Sequence, residues 1–279
     1  MTDMRMAAPW YRSLSRTQWN TLLASNLGWV FDGFEAYALI LTVGVALRQL
    51  LDPSQHAQIP VYAGAIIVTT LCGWGIGGMT AGVLADYIGR KRTMILAILT
   101  YSIMTGLSAF AWDWVSFAVM RFLVGLAIGS EWVTGTSMTA ELWPDNARGK
   151  GIGLFQCGFG IGFFIASLVW LFVGGTGPGA WRTMYLIGAL PALLTLWIRR
   201  SIPESTLWEQ ANERRRAAPV GFIFNGPRFL AAIGTLLSGA LIVKFGGYGN
   251  ACMIVATIYI LALIVVPFLP ETRGKPLPQ

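Results

Sequence analysis

Long uncharged stretches alternate with short clusters of charge along this chain. One runs from Ala57 to Ala85 and the next from Thr93 to Trp112, with Arg90, Lys91 and Arg92 between them. About 20 apolar residues are needed to cross a bilayer as a helix, so this pair reads as two spans joined by a short basic turn. Carried along the chain, the same pattern predicts an all-α integral membrane protein of about eight transmembrane helices. They fall over 21–47, 61–87, 93–111, 115–139, 151–173, 181–198, 228–245 and 250–269. A basic tail, 1–20, precedes them. Residues 201–227 form a polar linker between the sixth and seventh, and 270–279 a second tail.

Charge sets the orientation. Of the 20 Lys and Arg, sixteen fall on one side of this topology. They are Arg5, Arg12 and Arg16 in the first tail; Arg90, Lys91 and Arg92; Arg148 and Lys150; Arg199 and Arg200; Arg214, Arg215, Arg216 and Arg228; and Arg273 and Lys275. Cations are retained on the cytoplasmic side, so both termini are expected there, in a plasma (bacterial inner) membrane. The net charge of +7 therefore speaks to topology and not to nucleic acid. Only 12% of residues are charged, against about 25% in soluble domains. Cys72, Cys157 and Cys252 all lie in apolar runs and read as small core residues. His56 is the only histidine and sits in a polar outer loop. No metal or cofactor site is expected, and an enzyme finds little support.

Four charges fall inside the predicted spans. Asp32 and Glu35 are three apart on the first helix, so they share a face. Arg121 and Glu131 are on the fourth, about 15 Å apart in rise. A charge at a helix centre costs about 3 kcal/mol on insertion scales, and such residues mark ion and substrate paths. Burial disfavours a carboxylate's charge, so Asp32 or Glu35 is expected to take up and release a proton. Arg121 is suited to pair with either of them, or to hold a substrate carboxylate through two parallel bonds. Glu131 lies nearer the cytoplasmic end and is expected to join the basic loop or Arg148. Glycines recur at helical spacing at Gly75, Gly78 and Gly82, at Gly125 and Gly129, and at Gly158 and Gly162, where helices can approach closely.

The basic turn closes a pattern, Gly82-x-x-x-Asp86-x-x-Gly89-Arg90-Lys91. It resembles the signature loop between helices 2 and 3 of the major facilitator superfamily of transporters. The first helix, with Trp29-Val-Phe31-Asp32-Gly33-Phe34-Glu35, and the fourth, with Arg121-Phe-Leu-Val-Gly125 and Gly129-Ser-Glu131-Trp132, are similar to those of its sialate and monocarboxylate symporters. The resemblance implies a major-facilitator-type bundle with the N-terminal six-helix half over 21–200. Residues 221–229 look like the start of that family's helix 11, and the closing PETRGKPLP like the stretch after its helix 12. The Pro-Glu motifs at Pro203 and Pro270, which close both halves in the family, are only 67 residues apart here. Equivalents of helices 7–10 are thus expected to be absent, leaving 228–269 as a two-helix remnant.

The resemblance further implies proton-coupled symport of a small organic anion, a carboxylate such as sialate, lactate or an aromatic acid. The pathway would use Asp32, Glu35, Arg121 and Glu131. An inner gate would use Gly82, Asp86, Gly89, Arg90, Lys91, Arg148 and Arg228, with Asp86 meeting Arg228 or the helix start beside it. The shortened second half places the full cycle in question, so a non-transporting solute sensor or a partner subunit is the alternative.

Overall fold

The computed structural model describes Tyr11, residues 14–191, Leu193 and Trp197. The expected spans over 228–245 and 250–269, the linker, the second tail, most of the first tail before residue 14, and Arg228 lie outside these residues. Within them the chain forms six α-helices: α1 Arg16–Leu50, α2 Ile59–Ile88, α3 Arg90–Ser108, α4 Trp114–Leu142, α5 Asp145–Val173 and α6 Ala180–Gly188. The expected helices are all present, with different ends. α1 starts five residues early because Ser15 caps it. The Ser15 hydroxyl accepts from the Gln18 N–H and the Gln18 side chain accepts from the Ser15 N–H, satisfying two otherwise orphaned donors. Asp113 and Ser116 make the same reciprocal cap on α4.

The inner loop expected over 140–150 shrinks to Trp143 and Pro144. Pro144 is extended and stands at the N-cap of α5. Arg148 on α5 folds back to the end of α4. Its Nε donates to the Ala140 carbonyl at 2.7 Å and its Nη2 to the Trp143 carbonyl at 3.4 Å. A helix C-terminus leaves carbonyls unmatched and partly negative, which is what a guanidinium suits.

α1, α2, α4 and α5 are long and apolar enough to cross a membrane. The uncharged part of α3 runs only from Thr93 to Ser108, about 24 Å. The outward side of α5 carries Phe164, Leu168, Leu171 and Phe172, as a hydrocarbon solvent requires.

Two helix pairs form the frame, α2 on α4 and α1 on α5. A Cβ at Gly125 or Gly129 would overlap the carbonyl oxygens of Thr70 and Trp74, so backbones touch there. The α4 glycines were legible for this role; on α2 the contact falls on Gly73 and Gly77 as well as on the expected Gly78, whose backbone nitrogen a Cβ at Gly129 would meet at 2.7 Å. Gly162 does the same for α5 against Val30. The centre is aromatic. Trp29 stacks on Phe159 at 4.6 Å and on Phe155 at 5.7 Å, with Trp74 edge-on at 6.3 Å. One expectation fails: Cys157 is exposed on α5 and Cys72 only half-buried, so neither is a core residue. The α5 core face is instead taken by Phe155, Gly158 and Gly162, which pack on α1.

Candidate functional site

The four intramembrane charges are all buried, and α1 and α4 bring them into one column. Arg121 is 1% exposed and Glu35 2%, and Arg121 Nη1 donates to Glu35 Oε1. Its Nη2 donates to Ser108 Oγ on α3 at 2.7 Å. The Ser108 proton goes to the Met104 carbonyl at 2.7 Å, which leaves an Oγ lone pair facing the guanidinium. The Arg121 guanidinium carbon also lies 4.6 Å from the Tyr185 ring centroid and 5.6 Å from that of Phe117. Aromatic faces attract a cation, more so away from water.

Tyr185 is itself held. Its hydroxyl lies 2.8 Å from Thr42 Oγ1. Thr42 spends its proton on the Ala38 carbonyl at 2.6 Å, so Tyr185 is the donor between them. On the other side of Glu35, Gly188 of α6 makes room. A Cβ there would sit 2.9 Å from Glu35 Oε2. Four helices thus enclose one ion pair. Two atoms of it, Arg121 Nε and Glu35 Oε2, have no hydrogen-bond partner among the described residues.

The sequence marks Arg121 and Glu35 but leaves open which acid pairs with the arginine. Ser108, Thr42, Tyr185 and Gly188 carry no local signal of their role. Only the three-residue spacing of Tyr185 and Gly188 places both on one face of α6.

Asp32 is fully buried one turn from Glu35. Glu131 is 3% exposed and rests on the α1 backbone, where a Cβ at Gly28 would overlap its Oε1. Neither Glu131 oxygen has a hydrogen-bond partner among the described residues. Tyr101 of α3, fully buried, lies within electrostatic reach of Glu131, Asp32 and Glu35. The expected contact of Glu131 with the basic loop or Arg148 is not made. The basic loop reaches α4 at Glu141, ten residues and about 15 Å further along, and Arg148 serves the α4 C-terminus.

At the turn between α2 and α3, Gly89 takes φ 99°, a region that suits glycine. The turn it makes brings Arg90 Nη1 to Asp86 at 2.9 Å and Arg90 Nε to Glu141 at 3.3 Å. Gly82 is buried one turn before Asp86, Lys91 is half-buried, and the expected partner Arg228 lies outside the described residues. Glu141 is a member of this cluster to which the sequence reading gave no role.

A cavity of about 100 Å³ opens beside the ion pair, between α1, α2 and α4. Glu35 and Arg121 stand in its wall with Ile67, Thr70, Leu71 and Trp74. Apart from the pair, it is an apolar space.

Similarity to known proteins agrees with this architecture. The "Sugar (and other) transporter" family profile matches residues 28–224. A probable 4-methylmuconolactone transporter of Cupriavidus pinatubonensis is 34% identical over 227 residues, covering 77% of this chain and 50% of that protein. The sialic acid transporter NanX of Escherichia coli is 35% identical over 204 residues, covering 73% and 48%. The chain spans about half the length of these relatives. In three dimensions it matches the proton:xylose symporter XylE of E. coli with a TM-score of 0.65, at 22% identity over 83% of this chain and 55% of the other. With its glycine-packed helices, its basic turn after α2 and this matched span, the chain belongs to the sugar (and other) transporter family of the major facilitator superfamily.

Proposed function

We propose that the protein is a secondary active transporter that carries a small organic anion together with a proton. The observation behind this reading is the buried Arg121–Glu35 pair in the wall of a cavity. An empty site holds Glu35 as carboxylate against Arg121, with no net charge. A proton on Glu35 releases the guanidinium, and the substrate carboxylate takes the vacated place; the site is neutral again. Either ligand alone leaves one unmatched charge in a low-dielectric interior, at a cost of several kcal/mol. Only the empty and the doubly loaded site can cross between the two faces cheaply, which couples the two ligands. Asp32, one turn away, is the other candidate proton carrier, and Glu131 completes the column.

The names of the relatives support a carboxylate cargo: one is a sialic acid transporter, the other a probable methylmuconolactone transporter. Gly82, Asp86, Gly89, Arg90, Lys91 and Arg148 serve in this reading as the inner gate, with Arg228 completing it, and both termini face the cytoplasm. The half over 21–200 supplies the site and 228–269 the remnant of the second half.

The test is uptake of labelled organic acids into proteoliposomes under an inward proton gradient. Acid-driven uptake lost in Asp32→Asn or Arg121→Ala is the expected result; no proton-dependent uptake of any acid would sink the reading. The alternative reading is a solute sensor or a partner subunit. Binding without flux, or stable co-purification with a longer relative, would establish that instead.

A further inference from the structure

We infer that the cavity beside Arg121 and Glu35 receives the hydrocarbon body of the substrate, so the cargo is an apolar monocarboxylate and not a polyhydroxylated acid. The inference rests on the symport reading and narrows it.

Three observations carry it. The space measures about 100 Å³, and an apolar cavity of about 150 Å³ is enough for benzene. It therefore suits a branched alkyl group or a single ring seated in part. Its wall is hydrocarbon from Ile67, Leu71 and their neighbours, with the Trp74 ring on one side. Among the described residues, the only other polar side-chain atoms on that wall are the Thr70 hydroxyl, whose proton is held by the Ile66 carbonyl at 2.8 Å, and the Trp74 indole N–H.

Charge and shape then divide the work. Arg121 is the cation at one edge, placed to take a carboxylate once Glu35 is neutral. The rest of the ligand enters a wall that can answer few hydroxyl groups. A buried hydroxyl that gives up water without a partner costs about tenfold in affinity, and a sugar acid carries several. Each methylene placed against the same wall gains about fourfold. The site therefore discriminates by the body of the acid, while the ion pair sees only its carboxylate.

The experiment measures binding of acetate, 3-methylbutanoate, benzoate and gluconate to the purified full chain in lipid nanodiscs at acidic pH. Benzoate and 3-methylbutanoate are expected to bind at least about tenfold more tightly than gluconate. Ile67→Phe fills the cavity and is expected to weaken benzoate at least about tenfold more than acetate, which has no body to seat. Leu71→Ala enlarges it and is expected to shift preference from benzoate towards 2-naphthoate, which keeps the inference testable if the Phe variant fails to fold. Gluconate binding as tightly as benzoate, or Ile67→Phe weakening acetate and benzoate alike, would overturn the inference and leave the symport reading standing. Failure of all four acids to bind would remove both.

Discussion

Gly28 and Glu131 meet where α1 crosses α4, and the acid occupies the space that any side chain at position 28 would need. Gly28→Ala should therefore destabilise the protein by about 1–3 kcal/mol, the usual cost of overpacking a tight interior. Glu131→Ala should relieve most of that cost in the double variant. Thermal unfolding in detergent measures the coupling; equal destabilisation with and without Glu131 would show that the two do not compete for space.

Arg121 and Glu35 should behave as a unit. Arg121→Ala strands a buried carboxylate, and removing one partner of such a pair costs about 3–5 kcal/mol. The double variant Glu35→Ala with Arg121→Ala should be more stable than Arg121→Ala alone. Glu35→Gln keeps an acceptor for the guanidinium and should fold with a smaller loss than Arg121→Ala. Unfolding midpoints of the three variants separate these effects.

At the turn between α2 and α3, Gly89→Ala places a Cβ in a backbone conformation with φ 99° and ψ 151° and should cost about 1–3 kcal/mol. The strain sits beside Arg90, so it should also loosen the Asp86–Arg90–Glu141 cluster. Hydrogen exchange across residues 85–93 and 139–143 should speed up together. A change confined to one of the two segments would mean that Arg90 does not tie them.

The N-terminal end of α4 offers a pH test. Contacts with the Ser116 hydroxyl and then with the Ser116 N–H hold the Asp113 carboxyl below the usual carboxylate range. A lowered folded value means the stabilisation is complete above the unfolded value, near pH 4, and is lost as pH falls through the folded one. Amide exchange at Ser116 should rise with acid only below about pH 4, and Asp113→Asn should flatten that response.

Much of this was readable from residues alone, for stated reasons. The uncharged runs located all six described helices, because hydrocarbon demands length and apolarity in one unbroken stretch. Asp32, Glu35, Arg121 and Glu131 were marked because a charge inside such a run is costly. Gly125 and Gly129 announced close packing by their spacing. What escaped was set by partners far away in sequence. The choice of Glu35 over Asp32 depends on how α1 turns against α4. Ser108, Tyr185 and Gly188 matter only because α3 and α6 close around that pair. The early start of α1 lay in a local cap, Ser15 with Gln18, and the short α4–α5 link depends on Arg148 reaching back to carbonyls. On α2 the spacing marked Gly78 but not Gly73 and Gly77, since spacing gives a face but not every turn that meets the neighbour.

That short link has a mechanical consequence. With Trp143 and Pro144 alone between them, and Arg148 pinning the joint, α4 and α5 are a stiff fork with little freedom to hinge. One tine is pressed on α2 and the other on α1, backbone to backbone. A tilt applied at any of the four is handed to the rest, so the charged column between α1 and α4 can shift only together with all four helices.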